Sequence, residues 1–289
     1  MRGSPQAMTY LRAKSPKDAV RLAGEHPEAR PLAGGTDIMV AWNAGHFGAK
    51  AVLDLSALKS WARVSPTKDG VDIGAMATHA AIIRHPEVRK FWPLLAEACA
   101  TVGGPQIQAR GTLGGNIGNA SPAGDPFPPL AVYEARVRVV GSQGRRELAF
   151  LDVFAGVKKT RLAPGELIES VHLPHPPKRA RRLFRKVGTR AAQAISKTMM
   201  AGLLWLDEDG AVRELRFALG SMAPTVKRLH AAEEFLRGRR LGAKTVAEAV
   251  GLLASDVSPI DDVRSTRVYR LRAAQNVFRG FLEGRLGRS

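Results

Sequence analysis

Pro31-Leu32-Ala33-Gly34-Gly35-Thr36-Asp37-Ile38 places two glycines between a short apolar run and a helix-like pattern. Ala29 to Leu32 reads as a strand; Ile38, Met39 and Trp42 give the next segment a helical spacing, with Thr36 as its cap, before Asn43 to Gly45 break it. Val52-Leu53-Asp54-Leu55 is a further strand, so a strand–glycine–helix–strand unit fills the first 55 residues or so. In such a turn, successive backbone N–H groups point outward at the positive end of a helix, which suits phosphate, and glycine lets the main chain approach a ligand without a Cβ in the way. Taken alone, the motif is equally a tight turn that holds nothing.

Upstream, Ser15-Pro16-Lys17-Asp18 carries the marks of a helix start: a serine cap, a proline in the first turn and an acid three residues on. Downstream, Val71 to Ala75 reads as a strand followed by a cap at Thr78, and Pro93 to Val102 as a helix. Gly111-Thr112-Leu113-Gly114-Gly115-Asn116-Ile117-Gly118-Asn119 is too rich in glycine for helix or strand and is expected to be a second polar loop. Ser121-Pro122-Ala123-Gly124-Asp125-Pro126 extends it with a carboxylate suited to a hydroxyl-rich ligand. Thr112 and Asn116 read either as ligand contacts or as turn caps. Neither GxGxxG nor a P-loop occurs, so the pair of loops points to a dinucleotide site outside the Rossmann and Walker classes.

Arg136 to Val140 and Arg145 to Ala149 form an expected hairpin, and Glu166 to Leu173 a strand closed by Pro174. Pro174 to Pro177, with the basic stretch from Lys178 to Arg190, marks a boundary. Beyond it come two expected strands, Ile195 to Leu206 and Val212 to Ser221. Helical patterns follow near 226–237, 245–254 and 264–284, the last with Val268, Leu271, Ala274, Phe278, Phe281 and Leu282 on one face. The expected class is α+β: residues 1–7 a tail, 8–175 one domain in two parts (about 8–55 and 56–175), and 178–285 a smaller domain of antiparallel sheet and helices.

The chain has 289 residues, 44 Lys and Arg against 26 Asp and Glu, and a net charge of +18. No zinc-finger spacing, basic zipper or aromatic-interleaved strand accompanies that charge, so nucleic acid is not the expected partner. No apolar run is long enough to span a bilayer and none follows the first residues as a secretory signal would, so the expected location is the cytoplasm. A lone cysteine, Cys99, excludes an internal disulfide or an all-cysteine cluster in this chain and reads as a core residue. His79, His85, His172 and His175 lack metal-ligand spacing. Trp42, Trp61, Trp92 and Trp205 read as core or interface.

The ordered series Ala33-Gly34-Gly35-Thr36-Asp37, Gln106 to Asn116 and Ser121 to Asp125 resembles the FAD-binding subunits of the xanthine dehydrogenase and carbon monoxide dehydrogenase family. Ile73-Gly74-Ala75, Pro164 to Ile168, Phe184-Arg185-Lys186, Gly220-Ser221 and Tyr269-Arg270 carry the resemblance across about residues 8 to 285. It implies a two-part FAD-binding domain like that of the vanillyl-alcohol oxidases, then a smaller flavoprotein domain. By the same resemblance, Leu32, Ala33, Gly34, Gly35, Thr36, Asp37 and Ile38 would wrap the FAD diphosphate. Thr112, Gly115 and Asn116 would contact the phosphates and the sugar-like chain, with Ser121 nearby. Asp125, Ile168 and Lys186 would lie beside the cofactor, although for Lys186 one more solvated cation in a basic stretch remains an alternative. No residue of the chain would be catalytic and none would bind metal.

The implied partners are a large molybdopterin subunit and a small [2Fe-2S] subunit, with NAD as one electron acceptor; an autonomous FAD-dependent oxidoreductase is the alternative. Two departures matter. The stretch Ala192-Gln193-Ala194-Ile195 is neutral where relatives are often acidic, and Thr36-Asp37 replaces the His-Ser form common in carbon monoxide dehydrogenases.

Overall fold

The computed structural model describes residues 8–288, so the expected tail at 1–7 lies outside the described residues. The first unit is β1 (Thr9–Arg12), α1 (Pro16–Glu25), β2 (Arg30–Leu32), α2 (Ile38–Asn43) and β3 (Ala51–Asp54). Its strands pair in parallel in the order β1-β3-β2. The helix start at Ser15 is as read: its hydroxyl accepts from the Asp18 N–H at 3.2 Å and the Asp18 carboxylate accepts from the Lys14 N–H at 2.9 Å, a reciprocal cap.

A short 3-10 turn (Lys59–Ala62) leads to β4 (Val64–Pro66) and β5 (Gly70–Gly74). Six short helices follow: α3 (His79–Arg84), α4 (Pro86–Phe91), α5 (Pro93–Ala100), α6 (Pro105–Arg110), α7 (Leu113–Asn119) and α8 (Phe127–Val132). Then come β6 (Arg136–Gly141), β7 (Gly144–Ala149), the small hairpin of β8 (Phe154–Gly156) and β9 (Lys159–Thr160), and β10 (Leu167–Pro174). The antiparallel sheet β4-β5-β10-β6-β7 results. The last unit is the antiparallel sheet of β11 (Arg181–Val187), β12 (Thr198–Leu206), β13 (Val212–Gly220) and β14 (Lys227–Arg228), backed by α9 (His230–Leu236), α10 (Ala243–Asp256) and α11 (Arg267–Leu282).

The period of β12 explains how this unit attaches to the rest. Ala201, Leu203 and Trp205 point into the main core with Leu94, Phe127 and Phe150, whereas Met200 and Leu204 point into a second core with Phe217, Phe278 and Phe281. The strand is therefore apolar on both faces, as its nearly unbroken run of hydrophobic residues requires. Cys99 is fully buried, and Trp61, Trp92 and Trp205 are core residues, while Trp42 is half-buried.

The α+β reading holds, with local corrections. Residues 113–119 are helical, not a loop: Thr112 caps them by accepting from the Gly115 N–H at 3.0 Å, and Leu113 and Ile117 are fully buried. Packing on β10 overrides the poor helix propensity of three glycines. Gly114 makes the approach to Ala75 feasible, since a Cβ there would stand 2.5 Å from the Ala75 Cβ. The cap of α2 is Asp37 rather than Thr36, with no side-chain bond. The basic stretch after Pro177 includes β11, β12 starts at Thr198 rather than Ile195, and α9 begins at His230, after a two-residue strand. Val268 is 70% exposed, outside the face of α11 that buries Ala274, Phe278 and Phe281; the buried charge there is Arg270, which donates to the Lys197 and Ser221 carbonyls and to Asp262.

Candidate functional site

A cleft of about 570 Å³ opens between the parallel sheet and the five-stranded antiparallel sheet. That size falls in the ordinary range for cofactor sites. One wall is the β2–α2 turn, Ala33 to Ile38; the facing wall is Gly111, Thr112 and Gly114 to Asn116 from the start of α7, with Ile168 of β10 below. The two glycine segments meet directly. A Cβ on Gly34 would stand 1.9 Å from the Arg110 carbonyl oxygen, and a Cβ on Gly115 would stand 3.6 Å from the Ala33 Cβ. Only glycine fits that crossing at position 34.

Gly35 has φ +78, the left-handed conformation that turns the chain from β2 into α2. Among the described residues, none of the backbone N–H groups from Gly34 to Ile38 donates to an acceptor in the protein. Five consecutive amides without partners are unusual, because backbone donors are almost always paired or wetted. Runs of such donors form concavities that take anions. Buried on the opposite wall, the Asn116 Oδ1 atom also lacks a hydrogen-bond partner. Lys158 reaches two residues of the lining: its ammonium donates to Asn119 Oδ1 at 2.7 Å and lies 4.0 Å from Asp37.

Ala33, Gly34, Gly35, Thr36, Asp37, Ile38, Thr112, Gly115, Asn116 and Ile168 are thus gathered around one cleft. Leu32, Ser121, Asp125 and Lys186 are not on its walls. The Leu32 side chain packs beneath Gly35, and the Ser121 hydroxyl accepts from the Ala123 N–H at 3.3 Å. Asp125 and Lys186 are held by each other: the Lys186 ammonium donates to Asp125 Oδ2 at 2.6 Å and to the Thr101 carbonyl at 2.9 Å. Burial pushes the Asp125 carboxyl up to about 6, opposed by the lysine charge. The reading of Lys186 as a solvated cation is excluded, since only 11% of its side chain is exposed. This pair ties β11 to the loop before α8, next to Val102 on the cleft wall. The Ser221 N–H adds a second tie, donating to the Pro122 carbonyl at 2.9 Å.

Sequence reasoning missed several lining residues, among them Met76, His79, Ile107 and the turn at Ala163 to Glu166. Glu166 accepts from Arg146 and from the Ala163 N–H, and the arginine holds its carboxyl below the usual range. The spacing of His79 speaks only to metal ligation, and no metal-binding group of His, Cys, Asp or Glu exists among the described residues.

Comparison with known proteins agrees with this geometry. Residues 6–176 match the family model described as the FAD binding domain in molybdopterin dehydrogenase, and residues 183–284 match the CO dehydrogenase flavoprotein C-terminal domain. The chain is 29% identical to a xanthine dehydrogenase FAD-binding subunit of Escherichia coli, covering 93% of this chain and 92% of that one. It is 29% identical to the carbon monoxide dehydrogenase medium chain of Afipia carboxidovorans, covering 96% of each. Among solved structures, a reconstituted CO dehydrogenase from Oligotropha carboxidovorans superposes with a TM-score of 0.91 at 27% identity, over 98% of both chains. Quinoline 2-oxidoreductase from Pseudomonas putida 86 gives 0.90 at 25% identity, again over 98% of both. The cleft, its crossing glycines and these full-length matches lead to one conclusion: the chain belongs to the FAD-binding subunits of the molybdopterin dehydrogenases, the xanthine and carbon monoxide dehydrogenase family of oxidoreductases.

Proposed function

We propose that this chain carries FAD in the cleft between its two sheets and serves as the flavin electron-transfer subunit of a cytoplasmic molybdenum hydroxylase. Electrons would arrive from a small [2Fe-2S] subunit, fed by a large molybdopterin subunit, and leave to NAD or another acceptor. The observation that carries this reading is the row of partnerless amides from Gly34 to Ile38, crossed by the Arg110–Gly111 backbone.

The residues fit a dinucleotide. The amides of 34–38 would take the diphosphate as a run of donors with positive partial charge aimed at its oxygens. Asn116 and Thr112 would hold hydroxyls of the ribityl chain, and Ile168 would supply an apolar floor. Asp125 and Lys186, off the cleft wall, would act by fixing the last unit against the Val102–Gly104 turn. FAD supplies the step that converts single-electron arrivals into two-electron delivery. The protein binds it, orients it and keeps water from its inner face. The domain division that goes with this reading places the cofactor in 8–175 (parts 8–55 and 56–175) and the partner-facing sheet and helices in 178–285.

Purification of the chain alone and with its co-purifying subunits tests the reading. About one FAD per chain is expected, with substrate oxidation only in the complex and simple dye reduction by the chain alone. An isolated chain that turns over an organic substrate by itself would establish the autonomous oxidoreductase instead. A chain that purifies colourless and binds no added FAD would defeat both.

A further inference from the structure

One buried polar side chain on the cleft wall has a ring nitrogen that nothing in the protein satisfies. His79 opens α3 and is 2% exposed, yet it lines the cleft. Its backbone N–H donates to the Gly111 carbonyl at 3.0 Å. Its ring lies against the same glycine: a Cβ on Gly111 would stand 3.1 Å from His79 Cδ2 and 3.4 Å from the Thr36 hydroxyl oxygen. The imidazole therefore sits where the two glycine segments cross, beside the turn that bears the partnerless amides.

Its protonation follows from its surroundings. Nδ1 is sealed from solvent and has no hydrogen-bond partner among the described residues. An imidazolium would bury an N–H there with nothing to receive it, and burial accordingly lowers the pKa to about 4. The neutral ring leaves Nδ1 as a bare lone pair and carries its proton on Nε2, the only donor this side chain can offer the cleft. An apolar residue would plug the crossing without leaving an orphaned ring nitrogen, so packing alone does not account for a histidine here.

We propose that His79 binds the cofactor directly, its Nε2–H donating to a non-bridging oxygen of the diphosphate alongside the amides of Gly34 to Ile38. The inference rests on the FAD reading of the cleft and deepens it. A neutral donor adds a hydrogen bond at the anion without a buried cation that would need its own partner when the cleft is empty.

The test uses the full chain stripped of cofactor, as wild type, His79→Gln and His79→Leu, titrated with FAD, ADP and riboflavin. His79→Leu should weaken FAD and ADP by about 10- to 100-fold, the equivalent of one hydrogen bond to a charged group. Riboflavin, which lacks phosphate, should bind all three proteins alike. His79→Gln retains a donor and should stay within about 3-fold of wild type, a rescue that a purely steric role would not show. If His79→Leu does not fold, His79→Met takes its place. Equal affinity of the apolar variant and wild type for FAD and ADP overturns the inference, as does a loss confined to riboflavin. Failure of the wild type to bind either nucleotide would strike the cofactor reading itself, a distinguishable result.

Discussion

The two glycine-rich segments are similar in composition and opposite in what their backbones do. From Gly34 to Ile38 no described amide has an acceptor in the protein. From Gly111 to Asn116 almost every amide is already used: Gly111 donates to Ile107, Leu113 to Ala77, Gly114 to Ala75, Gly115 to the Thr112 hydroxyl and Asn116 to Thr112, leaving only Thr112. The first segment is built to receive something; the second is the buttress that holds it open. Glycine content does not separate these roles, whereas following each amide to its acceptor does.

The sharpest way to break the comparison is at the crossing itself. Gly34→Val would drive a side chain into the Arg110 backbone carbonyl, which cannot swing aside as a side chain would, so the segments must part. FAD retention should be lost and stability should fall by about 3 kcal/mol, the upper range for overpacking, as measured by flavin-to-protein ratio and urea melting. The physical reason differs from the one sequence suggests: the clash is with the second segment, not with the phosphate. A variant keeping stoichiometric FAD would show that the two segments are not interlocked.

Acid titration probes the same junction. His79 is held neutral, its pKa lowered from 6.5 to about 4, so its contribution is complete above about pH 6.5 and is lost as pH falls toward 4, by up to about 3 kcal/mol. Asp125 runs the other way. Its raised pKa, about 6, gives a contribution present below about pH 4 and lost as pH rises through 6. In urea melts of the apo-chain from pH 4 to 7, His79→Gln should therefore flatten the acid loss and Asp125→Asn should steepen it. Unchanged slopes in both would mean that neither group is desolvated in solution.

Two threonines, one per segment, sharpen the contrast at lower energy. Thr112→Ala removes a helix cap and should cost about 1 kcal/mol. Thr36 makes no side-chain hydrogen bond within the described protein, so Thr36→Ala should leave the apo-chain within about 0.5 kcal/mol of wild type and show its effect only on cofactor affinity. The smallest effect expected is a gain. In α7 a Cβ at Gly118 meets only the Ile168 Cδ1, at 3.9 Å, and Gly118→Ala should stabilise the apo-chain by about 0.5–1 kcal/mol.

What could be read in advance follows the range of the forces involved. The first segment was legible because strand, glycine pair and helix are punctuated within eight residues. So were the Ser15 cap and the hairpin from Arg136 to Ala149, both matters of near neighbours. The helix at 113–119 was not, because its stability comes from Leu113 and Ile117 reaching a core assembled from distant strands. Nor was the partnership of Asp125 with Lys186, which joins residues 61 apart and which composition presents as one cation in a basic run. His79 is not legible from spacing either, because the isolation of its ring in the cleft wall exists only once the fold is closed.

The alternation of β12 has a consequence for how such a protein can evolve. Ala201, Leu203 and Trp205 complete the hydrophobic interior of the flavin half, so the last sheet packs into that core as well as its own. One face of β12 belongs to each core, so a substitution on its Ala201–Leu203–Trp205 face must suit both halves at once, and that seam constrains the exchange of either half for a stranger.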